Sequence, residues 1–526
     1  MEEVPDRIDI NFTNDLINLS LDLSEPNWPR IHIPRPADSV SALNYTDYEF
    51  DEMQILKGNT RDENYSGYLN TTYTYLKKPQ QVGFVKFGVK ARSKDKSRDN
   101  IAQVYHRYYP LFAVSSTRDS VRKIYNLQGP DLSLLTLAGN PYESNLLNRG
   151  YDMGLAPDLE RVGKFIEFYP QNFKQEENDT KEKSHAEDYT AQEAVYAAYG
   201  LVQHQWQRLM LLGGLRFERT DIRYLGYDVQ FKPFSDAFDR IDTLRSNKQY
   251  DFLLPQFHLR YRLGRFTNIR ASFTRTYARP NFEDILPYRQ VEYDSRVITQ
   301  GNPELRFARA MNLDLLGETY LNQRGLISGG VFFKQIDDFV YYFERRIFVE
   351  DISRAGWYFV TSAENGDRAY LLGAELTWNQ MLTFLPGALK GLGIYTNYTF
   401  THSEAYIENR TELRERITLP GQARHVVNLA LDYQYERIYV KVATNYQSDF
   451  LHELGIGKEW DRYYDQALYL DLNAYYLLGK EKNLRVFFQA VNLTNAPQKY
   501  YMGVSDRVAQ QEYYSWSGRL GLKYEF

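Results

Sequence analysis

Cysteine is absent from the 526 residues. That removes disulfide scaffolds, thiolate metal sites and cysteine nucleophiles, and it leaves nothing to lose in an oxidising compartment such as the bacterial envelope. No apolar run approaches the ~18 residues that a membrane-spanning helix requires, and mean hydropathy is −0.56, so a helical membrane protein is excluded. Charge of one sign is missing too: 63 Lys and Arg stand against 68 Asp and Glu, with a pI near 6.0. Nucleic acid is therefore not expected as a partner, because neutralising phosphates takes a basic excess. The opening string Met1-Glu2-Glu3-Val4-Pro5-Asp6-Arg7 has no basic region followed by an apolar core, so no secretory signal is expected there.

What the chain does have is aromatics: 45 Tyr, 30 Phe and 6 Trp. Tyr and Phe suit a pleated strand with one apolar face, and amphipathic rings suit a lipid–water boundary. The alternation is strict in the last segment, where Trp516, Gly518, Leu520, Leu522, Tyr524 and Phe526 share one face and Ser517, Arg519, Gly521, Lys523 and Glu525 the other. It recurs with Val85, Phe87, Val89 and Ala91 against Lys86, Lys90 and Arg92, and with Leu209, Leu211, Leu215 and Phe217 against Arg208, Arg216 and Glu218. Period two of this kind means strands with one face for oil and one for water.

Soluble sandwiches and propellers alternate as well, and loop lengths decide between them and a membrane wall. About fifteen strands can be placed between residues 65 and 526. The connections Leu76–Gln80, Gln205–Arg208, Leu263–Thr267 and Tyr435–Arg437 are tight, whereas 94–189, 221–248, 277–308, 404–422 and 448–465 are long. Short turns on one rim and long loops on the other are the pattern of an outer-membrane barrel. The expected fold is thus all-β, an antiparallel transmembrane β-barrel portion over 65–526, with 94–189 a long extracellular loop. Residues 1–64, broken by Pro26, Pro29, Pro34 and Pro36, are expected to be an irregular extracellular segment. Within them Ala42–Leu56 has enough strand character for a sixteenth strand or an extension above the rim. Bacterial barrels close with even numbers, so fifteen strands leave an open edge.

Several strings, in order, resemble the barrel of the TonB-dependent receptors, in particular the Bacteroidetes-type forms. They are Ala278-Arg279-Pro280-Asn281-Phe282, Leu286-Pro287, Gly301-Asn302-Pro303-Glu304-Leu305, Asn365-Gly366, Leu419-Pro420-Gly421-Gln422 and Asn492-Leu493-Thr494-Asn495 with Tyr500-Tyr501. The resemblance implies an outer-membrane transporter of about 22 strands with a plugged lumen, importing a scarce nutrient (siderophore, metal chelate, peptide or glycan) when TonB pulls on the plug. No string in 1–64 resembles a plug. The chain is therefore expected to be a truncated C-terminal part, contacting TonB only through a plug carried elsewhere. A nonfunctional barrel remnant and a passive porin-like channel are the alternative readings.

No catalytic spacing of Ser, His and Asp, and no diagnostic carboxylate pair, is present. The eight histidines fit no zinc pattern, and no cofactor is implied. An enzyme is not expected. Aromatics in the long loops can grip a solute by stacking, which makes Tyr341, Tyr342, Trp357, Tyr358, Trp460, Tyr463 and Tyr464 the candidate ligand contacts. Leu520, Leu522, Tyr524 and Phe526 resemble the end signal read by the barrel-assembly machinery, and an alternating edge strand suits recognition by strand addition. Outer-membrane lipid, that machinery and an unidentified small solute are the expected partners.

Overall fold

The computed structural model describes residues 2–525 except 4–6, 15–16, 19, 23, 26–29, 46, 108–136, 142–153, 159, 164–172, 186, 233–237, 293–294, 322–324, 353, 409 and 411–413. Fifteen long strands make one antiparallel wall. They are β1 Glu49–Lys78, β2 Gln81–Arg107, β3 Tyr189–Trp206, β4 Leu209–Phe231, β5 Phe238–Arg262, β6 Thr267–Ala278, β7 Ala308–Tyr320, β8 Gly325–Asp337, β9 Arg368–Met381, β10 Leu392–Ile407, β11 His425–Tyr435, β12 Ile438–Gln447, β13 Ala467–Leu478, β14 Leu484–Val491 and β15 Ser517–Tyr524. Each pairs with the next in sequence. The tightest turns need left-handed backbone, and Gln80, Gln207 and Glu436 supply it with φ of 63°, 49° and 52°, as two-residue hairpins demand.

Register turns the alternation into a continuous outward band. Leu69 lies opposite Val89, Val89 opposite Ala198, Ala198 opposite Phe217 and Phe217 opposite Leu253. Phe273, Leu313, Phe333 and Leu372 continue it in the same way, as do Leu431, Val442 and Leu472 and Phe488 with Leu520. These side chains face outward and many are bare: Leu253 is 59% exposed and Leu372 also 59%. Toward the short-turn rim the outward positions become Tyr73, Trp206, Tyr261, Trp378, Tyr476 and Tyr524, all exposed. The opposite face carries Arg216 with Glu218 at 2.5 Å, Arg270 with Glu318 at 2.7 Å and Ser272 with Asp314 at 2.9 Å. An apolar outer band, an aromatic girdle and a wet inner face are what lipid on one side and a lumen on the other impose.

The strands run past the band, which corrects several expectations. Outside Phe217 and Leu253 the outer face changes to Arg219 and Asp251, paired at 2.7 and 2.8 Å. About nine to eleven residues suffice to cross the hydrocarbon, and beyond them both faces of a strand are wet. The apolar alternation therefore stops while the ladder continues to Phe231 and resumes at Phe238, within the expected loop 221–248. In the same way β2 continues to Arg107 and β1 begins at Glu49, so parts of 94–189 and 1–64 are sheet. Arg7–Thr13 also pairs with the upper part of β1, and Pro36–Leu43 forms a helix, α1.

Above Tyr189 the second edge of β2 has lost β3, and helix α2, Glu177–His185, covers it. The backbone N–H groups of Asn100, Ala102 and Val104 donate to Asp188 Oδ1 (2.6 Å), Ser184 Oγ (3.0 Å) and Thr180 Oγ1 (3.1 Å). Four helical residues rise about 6 Å and two strand residues about 6.6 Å. Acceptors spaced by four can therefore follow donors spaced by two, and beyond the helix the short strand Phe173–Gln175 pairs with Tyr105–Arg107, so this edge is covered along its upper length.

Among the described residues nothing pairs with the far edge of β15, or with that of β1 beyond Thr60. Both faces of these edge segments are exposed. Unpaired backbone in hydrocarbon costs several kcal/mol per group, which marks these two edges as the places where the wall would take a further strand.

Candidate solute-binding mouth

The long-loop rim is roofed by segments that fold back onto the inner face. Pro280 ends the ladder of β6, and a short turn at Glu283–Ile285 follows. Ile285, Leu286, Leu305 and Phe307 then bury against Tyr189, Ala191, Ile222, Tyr224 and Phe252 of the upper wall. Phe307 stacks on Tyr250 at 4.1 Å and Phe252 on Tyr277 at 3.9 Å. Two glycines permit the approach. A Cβ on Gly301 would lie 1.9 Å from the Leu286 carbonyl oxygen, and one on Gly226 would lie 2.3 Å from that of Pro287. Asn302 ties this roof to the next loop, its Nδ2 donating to the Ala363 carbonyl at 2.9 Å while its Oδ1 accepts from Glu304 N–H at 3.0 Å. Arg279 reaches down to the wall, 3.4 Å from Glu193 and 3.1 Å from Glu218. The strings Ala278–Phe282, Leu286-Pro287 and Gly301–Leu305 therefore build the roof.

The hairpin Val340–Val349 and Gly356–Asn365 adds to it, pairing in parallel with Val297–Gln300. A second hairpin layer joins Phe450–Glu453, Arg462–Tyr464, Gln498–Met502 and Val508–Glu512. These loops are clamped by Arg410, whose guanidinium lies 2.6 Å from Asp461 and 3.1 Å from Glu415.

Beside the roof lies a cavity of about 990 Å³. Arg7, Asp9 and Asn11 line it from the N-terminal strand, Gln54, Gly58 and Thr60 from β1, Arg98 and Asn100 from β2, and Lys183, Glu187, Gln290 and Glu292 from α2 and the loops; the apolar Ile8, Ile10, Leu56 and Pro157 complete it. Its walls thus mix three cations with three anions, and Arg98 is paired with Glu187. Burial pushes the carboxyls of Asp188 and Asp284 above the usual range, although Tyr342 donating to Asp284 at 2.9 Å opposes the rise in the latter. Burial also lifts the Tyr288 phenol to about 12.

The aromatic candidates divide. Tyr342, Trp357 and Trp460 are exposed, by 38, 54 and 44%. Tyr341 packs in a core with Phe339, Phe343 and Leu451. Tyr358 is wholly buried, its hydroxyl donating to the Arg354 carbonyl at 2.7 Å. Neither offers a face to a solute, because an inward-folded loop needs its own core. Tyr463 stacks on Tyr501 at 5.2 Å and Tyr464 on Phe450 at 5.3 Å, so both are committed to the hairpin layer. None of the seven lines the cavity. Of the end signal, Leu520, Leu522 and Tyr524 lie exposed on the outward face of β15, and Phe526 lies outside the described residues. Lys86, Lys90, Arg92, Arg216, Arg260, Arg262 and Arg270 share the face opposite the apolar band, while Arg208 falls in a turn. Arg98, Lys183 and Glu187 were missed because the charge runs of 94–189 read as solvated loop; the alternation of sign through Lys94–Asp99 was the available signal.

Band, girdle and roofed rim define an outer-membrane β-barrel wall. The chain belongs to the family of TonB-dependent receptor-like β-barrels, whose model matches residues 6–493; members are transporters of the bacterial outer membrane, not enzymes. Its fold is similar to the E. coli K12 ferric-catecholate import receptor Fiu in its closed form, with TM-score 0.54 and 12% identity over 99% of this chain and 60% of that one. It is also similar to the Serratia marcescens hemophore receptor HasR, in complex with its hemophore HasA and heme (0.52, 11%, 90% and 62%). The unliganded ferric citrate transporter FecA is similar as well (0.51, 10%, 90% and 56%). The chain thus spans about 60% of the length of these receptors. No curated protein matches it by sequence.

Proposed function

We propose that the chain supplies the wall and mouth of a receptor that captures a scarce solute outside the cell and imports it with energy delivered through TonB. The observation that carries this reading is the inward-folded roof beside a 990 Å³ cavity, a shape for retaining a ligand of some hundreds of cubic ångströms. The walls carry three charges of each sign beside the apolar Ile8, Ile10, Leu56 and Pro157, which suits an amphipathic solute or chelate that offers both hydrogen-bonding groups and apolar surface. Outer-membrane lipid surrounds the apolar band, and the assembly machinery meets the edge strand β15. The unpaired edges fit a receptor with further strands, and in this reading a plug outside the described wall passes on the pull of TonB. They also favour the competing reading of a barrel remnant that transports nothing.

Removing the gene from its native cell and following uptake of labelled ferric chelates, heme, peptides and glycans, with and without TonB, separates the two. Loss of one TonB-dependent uptake, restored by the gene, is expected. Unchanged uptake of every class would refute the receptor reading.

A further inference from the structure

We propose that Glu52, His106 and Asp179 form a binding site for a divalent transition-metal ion of the zinc type at the mouth. The three come from different elements, β1, β2 and α2, and bring one imidazole and two carboxylates together with ligand atoms all within 4.8 Å of one another. His106 Nε2 stands 3.4 Å from Glu52 Oε2 and 3.3 Å from Asp179 Oδ2. Those spacings match the edge of a coordination tetrahedron, about 3.3 Å for bonds of about 2.05 Å. The same nitrogen is buried between the two carboxylates, which raise its affinity for a proton, the Asp179 hydrogen bond foremost, so an ion binds here by displacing that proton.

The placement is fixed by the fold. Glu52 lies opposite His106 across the β1–β2 ladder, and Thr180, which seats α2 on the Val104 N–H, positions its neighbour Asp179. All three side chains are part-exposed, from 19 to 29%. Glu52 stands one same-face position above Gln54, which lines the mouth cavity. Imidazole with carboxylate suits zinc and its neighbours rather than soft copper(I) or hard calcium. Three protein ligands leave a fourth position for water or for a donor atom of a solute.

The test is titration of the full chain, assembled in lipid, with zinc chloride by calorimetry and with cobalt(II) by visible spectroscopy. Saturable binding of one ion is expected, with cobalt bands of low-symmetry four- or five-coordination. His106→Ala should weaken zinc by more than about tenfold, the loss that removing even an outer-shell partner can cause. Asp179→Asn and Glu52→Gln, which keep side-chain shape, should do the same while hydrogen exchange at Ala102 and Val104 shows α2 still docked. No saturable binding by the parent chain, or equal affinity in all three variants, would overturn the site and leave the trio as an ion-paired clamp.

Discussion

Arg410→Ala should open the loop layer, and its effect can be worked from the contacts. The Arg410 side chain is 3% exposed and lies between Asp461, 5% exposed, and Glu415, 13% exposed. Its Nη1 and Nη2 donate to the two Asp461 oxygens at 2.6 and 3.2 Å, and its Nε donates to Glu415 at 3.1 Å. With the guanidinium gone, Asp461 keeps the Gly455 N–H at 3.2 Å and no paired cation. Breaking a buried pair from one side costs about 3–5 kcal/mol. At 1.36 kcal/mol per tenfold, hydrogen-exchange protection across residues 450–464 should fall by roughly two to three and a half orders of magnitude.

The loss should depend on pH. Burial already holds the Asp461 carboxyl above its usual range, with Arg410 opposing the rise. A raised acid favours the folded state through its protonated form. That contribution is complete below the unfolded carboxylate range and is lost as pH rises through the folded value. Removing Arg410 lifts that value further, so the variant should be worst near neutral pH and recover in acid. Adding Asp461→Asn should recover most of the loss at every pH. A cost below about 1 kcal/mol, typical of an exposed pair, or one independent of pH, would refute the clamp.

Leu315→Arg, near the middle of the outward band, should cost about 2–4 kcal/mol of membrane stability, read by urea unfolding in lipid vesicles. Ser272→Arg, inward beside Asp314, should cost little. Thr180→Val with Ser184→Ala should strip acceptors from the Val104 and Ala102 N–H groups, at about 1–3 kcal/mol for each donor left unsatisfied. Faster exchange at those two amides, with β3–β4 amides unchanged, is the expected readout.

The wall was legible because its signal is local. From Trp516 to Tyr524, or Val85 to Ala91, every second side chain meets lipid, and no distant contact is needed to see it. The extensions to Phe231 and Arg107 were not legible, because beyond the hydrocarbon both faces are wet and the ladder persists without alternation. A buried Tyr358 and an exposed Trp357 are neighbours in one loop string; which of them meets water depends on Val291, Ile298 and Ile352 arriving from elsewhere. The ordered strings marked the family, yet their work, Gly301 under Leu286 and Asn302 on Ala363, appears only when two loops meet. Glu52, His106 and Asp179 share no local spacing, since register and helix docking alone bring them together.

The absence of native cysteine makes the central claim directly measurable. Asp314 and Leu315 are neighbours on opposite faces of β7. Each can be replaced by a single cysteine in the chain assembled in outer membranes, then labelled and probed from water and from lipid. The wall described here predicts that a label at Leu315→Cys is quenched by nitroxides on lipid acyl chains and is closed to membrane-impermeant thiol reagents, whereas Asp314→Cys shows the reverse. Equal access of the aqueous reagent to both positions, with no lipid quenching at either, would contradict it.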